Sequence, residues 1–268
     1  MTNKLGRRSS QPLPPSRRKM LAWAGATTCA ATVSTSPAQG GTREASDFRL
    51  ARLQVNGLPD PRPTALKRWA WELEARTSLE PQIEPASPRS VDAELFHHPL
   101  LLLSGDQAFA PPTDAEVSRL RRFLTFGGFL LIDSAEGRAA GGFDSSVRKL
   151  LARVLPTDLP QRVAEDHVLW KTFYLLQSPA GRIMAAPYVE AVERDKRIVV
   201  LYNQNDLCGA LARDGFGRYE HEVIPGGETQ REHAIRFAVN ITMYALCLDY
   251  KQEQAHIEFI LRSRRPRF

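Results

Sequence analysis

Cysteine is scarce in this chain. Three occur in 268 residues, Cys29, Cys208 and Cys247. No CxxC pair and no Cys/His spacing of a metal site accompanies them, which excludes a zinc ribbon or a scaffold built on several disulfides. Long apolar runs are missing too. The longest, roughly Leu21 to Val33, is rich in Ala, Thr and Gly and falls short of the ~20 apolar residues of a membrane-spanning helix. A charge excess is also missing from most of the chain. The formal net charge is +6, but the first 38 residues hold six basic residues and no acidic one, leaving 30 of each sign beyond them. The body therefore lacks the basic surplus expected of a nucleic-acid binder. Internal repeats are absent, which argues against a solenoid.

What the N-terminus does contain has the order of an export signal. A basic, proline-rich stretch precedes the Leu21–Val33 run, and Ser36 and Ala38 occupy the −3 and −1 positions of an A-x-A-like cleavage site. Ser16-Arg17-Arg18-Lys19-Met20-Leu21 resembles the twin-arginine signal S-R-R-x-F-L-K. The expectation is a signal peptide over 1–38, a mature start at Gln39, a periplasmic location and no transmembrane span after cleavage. Cys29 leaves with the signal; Ala26-Thr27-Thr28 before it is no lipobox. Cys208 and Cys247 then remain, free to pair or to stay as buried thiols.

A linker over 39–47 leads into a region with two periodicities. Leu100–Leu103 and Phe129–Ile132 are uninterrupted apolar runs, the pattern of strands buried on both faces of a parallel sheet. Between them Thr113 and Glu116 form a capping box, Val117, Leu120, Phe123 and Leu124 make a helical apolar face, and Gly127 is placed to end the helix. Strand, helix and strand make a βαβ unit. Upstream, Phe48–Val55 alternates as a strand with one covered face, Thr64–Thr77 has helical spacing, and Ile83 sits among prolines as a short edge strand. Downstream, Asp144 caps a helix to about Leu155, 156–187 is irregular, and Tyr188–Glu193 with Arg197–Tyr202 reads as a hairpin or a bent strand pair. Arg231–Asp249 is the last long helix. His256–Leu261 alternates as a final strand before a basic tail, within a C-terminal segment 251–268.

Several of these pieces, in order, resemble the DUF4159 domain family across 48–250. They are His98-Pro99 before LLLLSG, the Phe126-Gly127-Gly128-Phe129 helix end, the LLID strand, Phe143-Asp144 with Arg148 and Pro156, Asp166-His167, Tyr202 to Leu207, and Asn240 with Tyr244-Ala245. The resemblance implies an α/β fold of flavodoxin-like or class I glutamine amidotransferase-like type, mostly parallel, with helices on both faces. GGFLLIDSAEG is also similar to the strand turn of ThuA-like proteins, with Asp133 where that pattern has His. The amidotransferase pattern G-x-C-x-G is absent, so the resemblance does not extend to that nucleophile.

In an open α/β sheet, ligands bind beyond the carboxyl ends of the strands. Three polar clusters follow strands here: Ser104, Gly105 and Asp106; Asp133 and Ser134; Asn203, Asn205 and Asp206. Asp144, Arg148, Asp166 and His167 are candidates to join them from loops. A hydrolase reading takes His167 as base oriented by Asp133, or Ser134 as nucleophile. The plainer reading has Asp133 capping a turn and His167 satisfied in the core. Asp106, Asp133 and Asp206 supply oxygen ligands for a divalent ion but lack a metal-site spacing, so no metal and no cofactor is expected. The preferred expectation is a non-catalytic module binding a small molecule or an envelope protein. The alternative is an exported hydrolase acting on a small or carbohydrate-like substrate.

Overall fold

The computed structural model describes residues 48–138 and 140–263, with 247–263 as backbone only. The proposed signal (1–38), the linker (39–47) and the tail from 264 lie outside the described residues, as does the side chain of Cys247. Seven strands form one sheet in the order β2-β1-β3-β4-β7-β6-β5. These are β1 (Arg49–Arg52), β2 (Gln82–Ala86), β3 (Leu100–Gly105), β4 (Phe129–Ser134), β5 (Gln161–Arg162), β6 (Glu190–Arg194) and β7 (Arg197–Asn203). The first five in spatial order pair in parallel, and their sequence reproduces the flavodoxin-like order 2-1-3-4-5. β6 and β5 extend the sheet antiparallel. Asp195 and Lys196, both at positive φ, make the two-residue β6–β7 turn, the geometry that matches strand twist.

Alternation along the central strands sends side chains into two cores. Leu100, Leu102, Phe129 and Leu131 pack with α1 (Ala65–Arg76), α4 (Leu207–Leu211) and α5 (Gly227–Ser263). Leu101, Leu103, Leu130 and Ile132 pack with α2 (Asp114–Thr125) and α3 (Gly142–Val154). The fold is thus α/β, mostly parallel, with helices on both faces.

The capping box at α2 is present, with Thr113 and Glu116 each bonded to the other's backbone. At its far end Gly127 takes φ +112° and the Gly128 N–H reaches Phe123 O at 2.9 Å, a glycine-dependent helix stop.

Three local expectations need correction. β1 is paired on both sides and buried on both faces, with Leu50 in one core and Ala51 in the other. The alternation misled because a short Ala and the stems of flanking arginines fit an interior strand. The residue before α3 is Gly141, not Asp144, which sits inside the first turn. His256–Leu261 continues α5 instead of forming a strand. No Gly or Pro interrupts 228–263, so nothing in the backbone stops the helix. No helix among the described residues is long and apolar enough to cross a membrane.

Candidate functional site

Ser104, Asp133 and Asn203 stand in register on β3, β4 and β7. Two residues on from Leu102, Leu131 and Leu201, they face the α1–α4–α5 side. All three are buried. Asp133 Oδ1 accepts from Asn203 Nδ2 at 2.8 Å and from the Leu207 N–H at 2.9 Å; Oδ2 accepts from the Cys208 N–H at 2.8 Å. The Leu207 and Cys208 donors open α4, so this carboxylate caps a helix more than 70 residues downstream. Burial, with Asp206 nearby as the second cause, pushes the Asp133 carboxyl up to about 6. The same burial, followed by Asp133, raises the Cys208 thiol well above its ordinary value. Cys208 is free and buried, an inert thiol.

Asp206 is the second buried carboxylate. It adopts a left-handed backbone (φ 53°), and its Oδ1 accepts the Gly209 N–H at 2.9 Å. Arg62 grips it through Nε at 3.1 Å and Nη2 at 2.7 Å, and Arg182 Nε joins from the other side. Two glycines permit this packing. A Cβ on Gly209 would lie under 3.0 Å from the Asp206 carboxylate, and one on Gly181 under 3.0 Å from the Asn205 carbonyl. Asn205 itself exchanges two 2.8 Å bonds with the backbone of Ala186. At the rim stands His221, whose pKa is lowered by partial burial and then by Arg62.

Ser134 is buried as well, with its Oγ 3.4 Å from the Glu136 N–H and its carbonyl accepting the Asp206 N–H at 3.1 Å. Gly105 lies against Phe143, which a Cβ would overlap. Asp106 is exposed, just past the end of β3, whereas Asp133 and Asp206 are fully buried.

Asp144 and Arg148 form a separate cluster against the opposite face of the sheet. Asp144 Oδ1 accepts from Arg148 Nε at 3.2 Å and from the Tyr202 hydroxyl at 3.1 Å, and Arg148 Nη1 reaches Glu190 at 3.1 Å. Burial, then Asp144, pushes the Tyr202 hydroxyl far above its usual range.

His167 is not part of either cluster. Its Nδ1 accepts the Leu169 N–H at 3.1 Å, starting a short 3-10 turn, and its ring lies 5.6 Å from that of Tyr244. The Tyr244 hydroxyl accepts the Ile198 N–H at 3.0 Å, at the amino end of β7. Asp133 pairs with Asn203 at the carboxyl end, five residues or roughly 17 Å along the strand. The expected His167–Asp133 pair is therefore not formed: the part of the 156–187 segment around His167 lies at the amino end of β7, and only its later part, Gly181 to Ala186, reaches the carboxyl end. Asp166 is exposed beside it.

Arg62, Arg182, Glu190 and Tyr202 are the participants that sequence reasoning missed. The prolines at 61 and 63 around Arg62 mark a fixed loop after β1; nothing local marks Arg182.

Comparison with known proteins adds the following. A search of curated proteins finds no match. Among solved structures, the chain is similar to a ThuA-like protein of Bacteroides uniformis ATCC 8492. Identity is 12%, the TM-score is 0.33, and the match covers 73% of this chain and 93% of that one. Residues 49–246 match the family described as "Domain of unknown function (DUF4159)", nearly the whole of the sheet and its helices. The chain belongs to the DUF4159 family.

Proposed function

We propose that this DUF4159 protein is an exported, non-catalytic module that binds a small molecule or an envelope partner at the carboxyl end of its sheet. The observation that carries the reading is the saturation of Asp133. Its two oxygens already accept three N–H donors, most of the roughly four acceptor sites of a carboxylate, and the group is fully buried, so it offers no substrate-facing edge. Ser134, the alternative nucleophile, is buried without a base beside it, and His167 lies at the other end of β7. The binding reading draws support from the crevice rim. There the guanidiniums of Arg62 and Arg182 and the imidazole of His221 stay partly accessible above a rigid buried floor.

Export rests on the arrangement of residues 1–38. Mass spectrometry of the protein recovered from an envelope fraction tests it: a mature chain starting at Gln39 agrees, and an intact Met1 contradicts it. For the binding reading, thermal shifts across a panel of sugars, carboxylates and amino acids are the test. At least one class should raise Tm, and Arg182→Gln should abolish that shift. A panel with no shift at all would overturn the reading.

A further inference from the structure

A second surface, at the opposite end of the sheet from that crevice, combines exposed aromatics with unmatched positive charge. Arg119, Arg122 and Phe126 recur at i, i+3 and i+7 along α2, one stripe of a helix. Phe126 closes that helix with 72% of its surface exposed, and Phe96, from the short turn before β3, is 39% exposed. Both border a groove of about 260 Å³ whose floor is Phe123, with Gly127 and Gly128 at one end. The Arg119 guanidinium lies 5.5 Å from the Phe96 ring centre and that of Arg122 5.9 Å from the Phe126 ring. Stacked in this way, cation and aromatic face solvent together.

Two arginines outnumber the one carboxylate on the turn that carries Phe96, Glu94, which is engaged with His98 at 3.3 Å. Among the described residues neither Arg119 nor Arg122 has a carboxylate partner; Arg119 makes one long bond to a carbonyl, at 3.4 Å. The neighbouring Arg121 and Arg197 are spent on backbone carbonyls, Arg121 on Val154 at 2.9 Å and Arg197 on Gly127 and Leu124. The Arg197 bonds occupy the Gly127 and Leu124 carbonyls at the groove's end, acceptors that a docking peptide would use. What is left outward is ring edges and guanidinium N–H groups around a groove too small for a helix ~10 Å across. We infer that this face docks on an anionic phospholipid bilayer, with Phe126 and Phe96 entering the headgroup boundary and Arg119 and Arg122 on lipid phosphates. The inference does not rest on the crevice.

Two tryptophan reporters in the full chain test it. Read as the difference from the wild-type chain, whose four tryptophans also emit, the added emission of Phe126→Trp should shift to the blue on vesicles of phosphatidylcholine with phosphatidylglycerol, and lipids brominated on the acyl chain should quench it. Phe216→Trp, in a 91% exposed position on the loop after α4, should do neither. Phosphatidylcholine alone should give no response. Removing both charges (Arg119→Gln with Arg122→Gln) should weaken partitioning roughly tenfold or more, at about fivefold per charge. Equal quenching of the two reporters would mean that other segments hold the protein on the membrane, and would overturn the inference. So would an unquenched Phe126→Trp, or a blue shift produced by an acidic polypeptide and not by vesicles.

Discussion

The Asp133 carboxylate accepts the backbone N–H of Cys208 at 2.8 Å, from 75 residues away in the chain. With the adjacent Leu207 bond, it ties the end of the central strand β4 to the start of a helix that follows β7. A buried carboxylate on two helical N–H groups gains from both the hydrogen bonds and the helix dipole. That places Asp133 in the architecture of the fold.

Replacing it should therefore cost stability. Asp133→Ala leaves two helix N–H groups and the Asn203 amide unpaired in the interior, a loss of roughly 3–5 kcal/mol. Asp133→Asn keeps one acceptor and turns an amide donor towards another N–H, costing about 1–3 kcal/mol. Urea unfolding reads both, and an unchanged midpoint in Asp133→Ala would refute the capping role.

The raised pKa of Asp133 has a pH consequence of definite sign. Unfolded, an aspartate titrates near 3.9; folded, this one titrates at about 6. The native state holds the extra proton between those values. The contribution to stability is therefore full below about pH 4 and is lost as pH rises through about 6, by up to roughly 3 kcal/mol. The pH profile of unfolding free energy for wild type minus Asp133→Asn should fall across this window. A flat difference would show that Asp133 is ionised throughout.

Asp206 depends on its arginines. Arg62→Met removes a two-point grip on a buried carboxylate, leaves only Arg182, and should cost about 3–5 kcal/mol. Arg182→Met, which removes one bond, should cost less. Unfolding midpoints rank the two, and the reverse order would contradict the geometry.

Much of this was legible in the sequence, for physical reasons. Leu100–Leu103 and Phe129–Ile132 are buried on both faces and advertise it by composition; Thr113, Glu116 and Gly127 mark both ends of α2 by local chemistry. The alignment of Ser104, Asp133 and Asn203 also followed, since each ends a neighbouring strand. What stayed hidden was non-local. The partners of Asp206 come from 144 and 24 residues away, and no spacing rule links them. His167 was misplaced for the same reason: a long irregular segment has no periodicity to say which end of the sheet it crosses. The short α4 was missed because five residues carry too little pattern.

Glycine substitutions separate designed fit from incidental flexibility. Gly181→Ala drives a Cβ into the Asn205 backbone carbonyl and should cost roughly 2–4 kcal/mol. At Gly215 a Cβ meets nothing within 4 Å, so Gly215→Ala should be neutral or gain up to about 1 kcal/mol. Similar melting temperatures for both would contradict the packing around Asp206.

The claim that the carboxyl-end cluster is a binding floor and not a catalytic centre is tested most directly by a hydrolase screen of the purified protein. Ester, amide, phosphoester and glycoside reporters would be assayed beside His167→Ala and Ser134→Ala, with circular dichroism confirming that each variant is folded. The account predicts no turnover above the buffer rate in any of the three proteins. Turnover in the wild type that disappears in a folded His167→Ala or Ser134→Ala variant would contradict it.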